Sequence, residues 1–252
     1  MTMSNTYEVI EKLLDKNMYS RPGSKMKGKR GVCLHWVANP LSTAIGNRNY
    51  FNNLKNQGPE VHRKRYASSH EIIGLDGEVV VCVPKDEVAF HAGAKGYKSR
   101  VHRLLSSSPN RYLYGIEVCH PDWYGKFLPT TYKTVIQRVA DLLIEFGLTP
   151  SKDTIWRHYD VTGKDCPKYY VQNPKAWDQL INDITYVYNQ KTEVEQVSEL
   201  LEWQKEMGEK SIEYLEKEGL LNNPEKWSQT LGENVPQWLF WSLLERMDRR
   251  LK

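Results

Sequence analysis

The stretch GVCLHWV, residues 31–37, decides how the rest of the chain is read. It is a compact apolar run of the kind a buried strand needs. Side chains alternate along a strand, so Cys33 and His35 point to the same face. LYGIEVCH (113–120) reads as another strand and puts Glu117 and Cys119 on one face. TIWRHYDV (154–161) reads as a strand running into a loop. HEIIGLDGEVVVCVP (70–84) gives two strands around an Asp76-Gly77 turn, the strongest short hairpin signal in the chain. Helices fall between these runs. A short one opens the chain, and AIGNRNYFNNL (44–54) is a second. Tyr132, Val135, Ile136, Val139, Leu142, Leu143 and Phe146 recur at helical spacing, and Gly147 is placed to end that helix. NPKAWDQLINDITYVYN (173–189) is a helix with Pro174 in its first turn. Strands interleaved with helices predict an α/β or α+β domain with a central sheet.

The chain changes character near residue 190. QKTEVEQVSELLEWQKEMGEKSIEYLEKEG (190–219) is polar and helix-prone, and Asn222, Asn223 and Pro224 break it. VPQWLFWSLLERMDRRL (235–251) is a further helix with an apolar face of Trp238, Leu239, Trp241, Leu243, Leu244 and Met247. The expected organisation is a domain over 1–189 and a small all-α module over 190–252. A helical pair of that size is marginal alone, so docking or self-association is expected of it.

Composition sets the class. The 252 residues are 40% apolar and 26% charged, with a mean hydropathy of -0.64, as in ordinary globular proteins. No apolar run approaches the roughly 18 residues of a membrane span. The opening MTMSNTYEVIEKLLDKNMYS lacks the pattern of a secretory signal, so synthesis in the cytoplasm is expected. Cys33, Cys82, Cys119 and Cys166 show no CxxC spacing and are expected as free thiols. The net charge of +4 divides unevenly: residues 190–252 hold 9 Lys and Arg against 13 Asp and Glu, leaving a balance of +8 in residues 1–189. A basic body suits an anionic partner, either nucleic acid or a cell-wall polymer. KMKGKR (25–30) and HRKR (62–65) add to the basic balance, but no recognised nucleic-acid motif accompanies them.

The chemistry concentrates in RHYDVTGKDCP, residues 157–167. His158 and Cys166 stand at the two ends of a loop that Gly163 allows to curl back. A catalytic zinc site takes three protein ligands and leaves one position open, and imidazole and thiolate are suitable donors. His35, His158 and Cys166 form one candidate set; Cys33, Cys119, His70, His91 and His120 are also chemically acceptable. Strand parity turns His120 away from Glu117.

Five motifs in order resemble one family: HW at 35–36, SSHEIIGLDGEV at 68–79, FHAG at 90–93, GIEV at 115–118 and RHYDVTGKDCP at 157–167. Over roughly residues 20–188 the chain resembles the zinc-dependent N-acetylmuramoyl-L-alanine amidases of the type-2 amidase and peptidoglycan-recognition fold, and above all phage and prophage endolysins of Gram-positive hosts. The resemblance implies a central mixed sheet flanked by helices and one zinc ion on His35, His158 and Cys166. It implies that Glu117 moves the proton of the attacking water and that Lys164 faces the scissile carbonyl. Ser69 stands where some phage members carry a tyrosine, which shifts the proton-transfer role toward Glu117. His70 and His91 are expected near the substrate. The implied partner is the peptidoglycan of a Gram-positive wall, reached after release from the cell. The nearest alternatives are a silent peptidoglycan-binding module and a cytosolic amidase that recycles muropeptides. Silent members lack the metal cysteine, and this chain has Cys166. For residues 190–252 the expectation is wall targeting or homo-oligomer formation.

Overall fold

The computed structural model describes residues 7–198, 202–229 and 231. The chain divides into two compact units, residues 1–189 and 190–252. The first is built on a six-stranded sheet: β1 (Val9–Glu11), β2 (Gly31–Trp36), β3 (Glu71–Ile73), β4 (Val79–Val81), β5 (Leu113–Val118) and β6 (Ile155–Arg157). Their order is β1-β4-β3-β5-β2-β6, with β3 and β4 antiparallel and every other pair parallel. The sheet is therefore mixed.

Helices cover both faces. On one lie α3 (Pro129–Glu145) and α6 (Pro174–Ser198), and their buried Val135, Val139, Leu142, Leu143, Leu180 and Ile184 pack on Val32, Leu34, Ile73, Val79 and Ile116. On the other lie α1 (Ala44–Asn53) and α2 (Ser99–Leu105). Ala44 and Phe51 of α1 pack on Ile72 and Val80, while Val101 and Leu105 of α2 pack on Leu113 and Trp156. Strands covered on both sides need near-continuous apolar sequence, which is why GVCLHW is not a polar–apolar alternation. Each such core side chain contributes roughly 1.5–3 kcal/mol through burial. One charge pair interrupts the apolar layer: Arg138 of α3 and Glu71 of β3 form a buried ion pair, with the Tyr114 hydroxyl donating to Glu71 Oε1 at 2.9 Å. Together they tie the helix to two neighbouring strands.

Two local elements differ from the sequence reading. The opening segment contributes the edge strand β1, because Val9, Ile10 and Glu11 pair in parallel with Val79, Val80 and Val81. That pairing holds Val9–Glu11 extended in place of the expected helix. The stretch after β6 is a helical turn, α4 (His158–Thr162), rather than a loop. Asp160 accepts from the Arg157 backbone N–H at 2.9 Å, and Gly163 closes the turn at φ +85°, a left-handed conformation that suits glycine. The hairpin turn lies where the sequence predicts it, with Gly77 at φ +86°.

In the second unit the described helices are α7 (Glu202–Lys217) and α8 (Pro224–Gln229), separated by Gly219 at φ +67° and the Asn222-Asn223-Pro224 break. The apolar helix expected over 235–251 lies outside the described residues.

Candidate metal centre and active site

On the face of β2, β5 and β6 opposite α3 and α6, the register of the strands determines what meets. His35 of β2 sits beside Glu117 of β5, and Cys33 beside Gly115. Cys33 is also level with Trp156 of β6, so His158, two residues further on, comes up alongside His35. The turn α4 and its left-handed Gly163 then bring Cys166 back, where its carbonyl accepts from the Tyr159 N–H at 3.0 Å.

The result is a group of donors drawn from both ends of the domain. His35 Nδ1 lies 3.1 Å from His158 Nδ1 and 3.8 Å from Cys166 Sγ, and all three residues are buried. The three ligand atoms lie within 4.8 Å of one another. Zinc bonds of about 2.0–2.1 Å to nitrogen and about 2.3 Å to sulfur hold tetrahedral ligand atoms roughly 3.3–3.6 Å apart. The observed separations suit such an ion, and the group can hold a metal. Burial lowers the proton affinity of both imidazoles, His158 to about 3, and the charges of neighbouring histidines and Lys164 act in the same direction. Both rings are therefore neutral near pH 7, the form in which imidazole donates a lone pair. The Cys166 thiol is pushed up by burial and by Glu117, against a backbone N–H from Trp36 that favours the thiolate. A metal taking this sulfur displaces its proton.

Beside this group runs a cleft of about 320 Å³ lined by Phe51, Tyr66, Phe90, Asn110, Glu117, His158 and Lys164 among others. Glu117 is half-buried, and its Oε2 is shielded from solvent with no hydrogen-bond partner among the described residues. Burial raises its carboxyl to about 8, with the charge of Lys164 opposing. The sequence pattern did not reveal the aromatic walls Phe51, Tyr66 and Phe90, which come from three separate segments without a shared motif.

The two remaining predicted histidines are placed differently. His70 is fully buried; its Nε2 bonds the Glu87 carbonyl at 2.9 Å and its Nδ1 accepts from the Gly115 N–H at 2.9 Å. Both ring nitrogens serve the backbone, and none remains for a ligand. His91 borders the cleft, yet its nitrogens face His35 and the Leu113 carbonyl. His120 stacks on Trp36 and bonds the Asp122 carbonyl, away from the donor group. Cys33 lies close to His35 and His91, Cys119 meets Asn47, and all four cysteines are free thiols.

Comparison with known proteins decides the lineage. Residues 25–169 match the family described as Amidase_2, N-acetylmuramoyl-L-alanine amidase. The chain belongs to this family. Among curated amidases, a probable N-acetylmuramoyl-L-alanine amidase of Bacillus licheniformis is 36% identical over 168 residues, covering 66% of this chain and 44% of that one. The amidase CwlL of the same organism is 32% identical over 187 residues, covering 73% and 49%. The chain thus spans about half the length of the curated amidases it matches. Among solved structures, a mutant endolysin from Bacillus subtilis superposes with a TM-score of 0.54 at 22% identity, covering 71% of this chain and 99% of that one. It shares the amidase fold, and the matched region contains His35, Glu117, His158, Lys164 and Cys166. Among the described residues no helix is long and apolar enough to cross a membrane.

The buried titratable groups set a pH profile for the metal-free protein. His70 is lowered to about 3, His91 to about 4 and His158 to about 3, each mainly by burial, and His35 falls in the same direction. Unfolded, each takes a proton near pH 6.5. Between that value and the folded ones the unfolded chain binds more protons, so stability falls as pH falls. Glu117 acts oppositely: its folded value near 8 exceeds the unfolded 4.5, so its contribution is full below pH 4.5 and lost as pH rises through 8. Urea midpoints of the metal-free protein are expected to peak near pH 6.5 and to drop more steeply toward pH 4 than toward pH 9. An acid limb no steeper than the alkaline one would contradict the buried neutral histidines.

Proposed function

We propose that this chain hydrolyses the amide bond between the lactyl group of N-acetylmuramic acid and the L-alanine of the stem peptide in Gram-positive peptidoglycan. One zinc ion would be held by His35, His158 and Cys166. The observation that carries the reading is the convergence of these three donors beside a shielded, unpartnered Glu117 oxygen in a cleft that also receives Lys164. A zinc ion there supplies Lewis acidity and brings the pKa of water toward about 7. Glu117 takes a proton from the attacking water and delivers it to the alanine nitrogen as the carbon–nitrogen bond breaks. Lys164 sets its charge against the carbonyl oxygen as the carbon turns tetrahedral. The products are a lactyl carboxylate and a free amine on L-alanine, and no side chain becomes covalently attached.

Digestion of purified peptidoglycan, followed by mass spectrometry with and without a zinc chelator, tests this reading. Stem peptides beginning at L-alanine, formed only when metal is present, are expected. Release of disaccharides, or cleavage within the stem, would replace the reading with another hydrolase. A lytic role on the wall after release from the cell is supported by the likeness to endolysins, and the acidic helical module suits a wall-targeting or self-associating unit. Exposed Trp203, Met207 and Tyr214 follow one another along α7. If the chain cut after Asn189 sediments with Gram-positive walls as well as the full chain does, targeting is excluded. A mass in light scattering that rises with concentration would favour self-association instead.

A further inference from the structure

His91 makes two contacts that together fix the position of two protons. Its Nε2 lies 3.0 Å from the Leu113 carbonyl, and its Nδ1 lies 3.0 Å from His35 Nε2. A carbonyl oxygen only accepts, so His91 Nε2 carries its ring's proton. A neutral imidazole has one N–H, which leaves His91 Nδ1 as an acceptor. His35 Nε2 must then be the donor to it. With its one proton on Nε2, His35 has a bare lone pair on Nδ1, the atom 3.1 Å from His158 Nδ1 and 3.8 Å from Cys166 Sγ.

We infer that His91 is a positioning residue: through the chain Leu113 carbonyl, His91, His35, it holds His35 in the tautomer that turns an unprotonated Nδ1 toward the metal centre. The inference rests on His35 being a zinc ligand, as proposed above. The competing tautomer is close at hand. Were the His35 proton on Nδ1, it could donate to His158 Nδ1 at the same 3.1 Å separation and occupy the space a cation needs. The relay removes that option for His35. The proton between the two nitrogens then sits on His158, and His35 Nδ1 needs no change of tautomer to take a cation.

The surroundings hold the His91 ring in place for this task. It lies over Gly115 of β5, where an added Cβ would overlap the ring, so the strand forgoes a side chain at the point of closest approach. The Gly115 N–H is anchored on His70 Nδ1, and the next residue after His91 donates its N–H to Asn110 Oδ1 at 2.9 Å. The ring meets His35 edge-on, with centroids 5.1 Å apart and planes 85° apart. Since both His91 nitrogens are engaged, it has none to offer a substrate, and its effect on catalysis passes through His35.

Two readouts test this, and neither needs turnover. Long-range proton–nitrogen correlation spectra of the metal-free wild type are expected to show His35 protonated on Nε2 and bare on Nδ1; a His35 protonated on Nδ1 overturns the inference. His91→Phe keeps a ring but removes the acceptor, and chelator competition is expected to show zinc affinity roughly 10–100-fold weaker, the usual effect of losing a supporting partner of a ligating histidine. His91→Asn, whose Oδ1 falls near the Nδ1 position, is expected to recover most of that loss. If His91→Phe binds zinc as tightly as the wild type, the relay has no role. If His91→Phe does not fold by circular dichroism, the wild-type spectrum and the asparagine variant decide. A wild type that binds no zinc, yet shows His35 protonated on Nε2, would sink the proposed metal function while supporting the tautomer assignment.

Discussion

Cys166→Ser is expected to fold and to lose its metal. The substitution is nearly isosteric at a buried site, so the packing around it is little disturbed. The chemistry changes completely: an alcohol keeps its proton where a thiol can be made to release one, and zinc prefers thiolate sulfur. Burial and Glu117 already push the Cys166 thiol up, so the wild type would bind metal only by expelling a proton, and its zinc affinity should rise with pH. The serine variant should lose more than the roughly 10–100-fold that follows from disturbing a partner of a ligand. Elemental analysis after dialysis, with circular dichroism to confirm the fold, reads both quantities. One equivalent of zinc retained by Cys166→Ser would remove Cys166 from the donor set, and with it the central premise of the proposed hydrolase.

How much of this could be read from the sequence depends on what each feature needs to be recognised. β2 and β5 were legible because a strand covered on both faces must be nearly continuous in apolar residues, and GVCLHW and LYGIEV are, His35 and Glu117 apart. The helix beginning at Pro129 was legible because one face repeats every three to four residues. β1 was not, since Val9–Glu11 is three residues long, half exposed, and becomes a strand only through β4. The helical turn at His158 was hidden for a similar reason: its cap is a local Asp160 contact inside a stretch that otherwise continues a strand pattern. At the site, His35, His158 and Cys166 could be named as one chemically acceptable set, but alternatives such as Cys33 and His91 differ from them only in where their atoms point. Register brings His35 beside Glu117 and Cys33 beside Gly115, and the donor atoms of Cys33, His35 and His91 also lie within 4.8 Å of one another; Glu117 and Lys164 share the cleft with His158, which favours the first set. Gly115 did carry a signal. A glycine inside an apolar strand often marks a close approach, and here the approaching group is the His91 ring.

Lys164→Ala is expected to do the opposite of Cys166→Ser: keep zinc and lose turnover. Lys164 is exposed at the cleft, so truncating it opens no cavity in the core. Its positive charge disfavours protonation of His35 and His158, and by the same physics it repels a cation held between them. Removing it should therefore leave zinc affinity unchanged or slightly tighter. On the proposed mechanism it takes away a charge facing an oxygen that becomes negative only in the transition state, and loss of one such donor typically lowers kcat by about 10²–10³. Glu117→Gln provides the contrast. It keeps the size of the side chain but cannot carry a proton from water to the departing nitrogen, a role worth roughly 10²–10⁴ in rate. The two variants should also differ in pH dependence, because the charge of Lys164 draws the Glu117 carboxyl down against the effect of burial. In Lys164→Ala the residual activity should need a higher pH to develop, as Glu117 holds its proton longer, whereas Glu117→Gln should lose that limb of the profile. Full turnover in a zinc-loaded Lys164→Ala would exclude the lysine from the chemistry, and an unshifted profile would show that its charge does not reach Glu117.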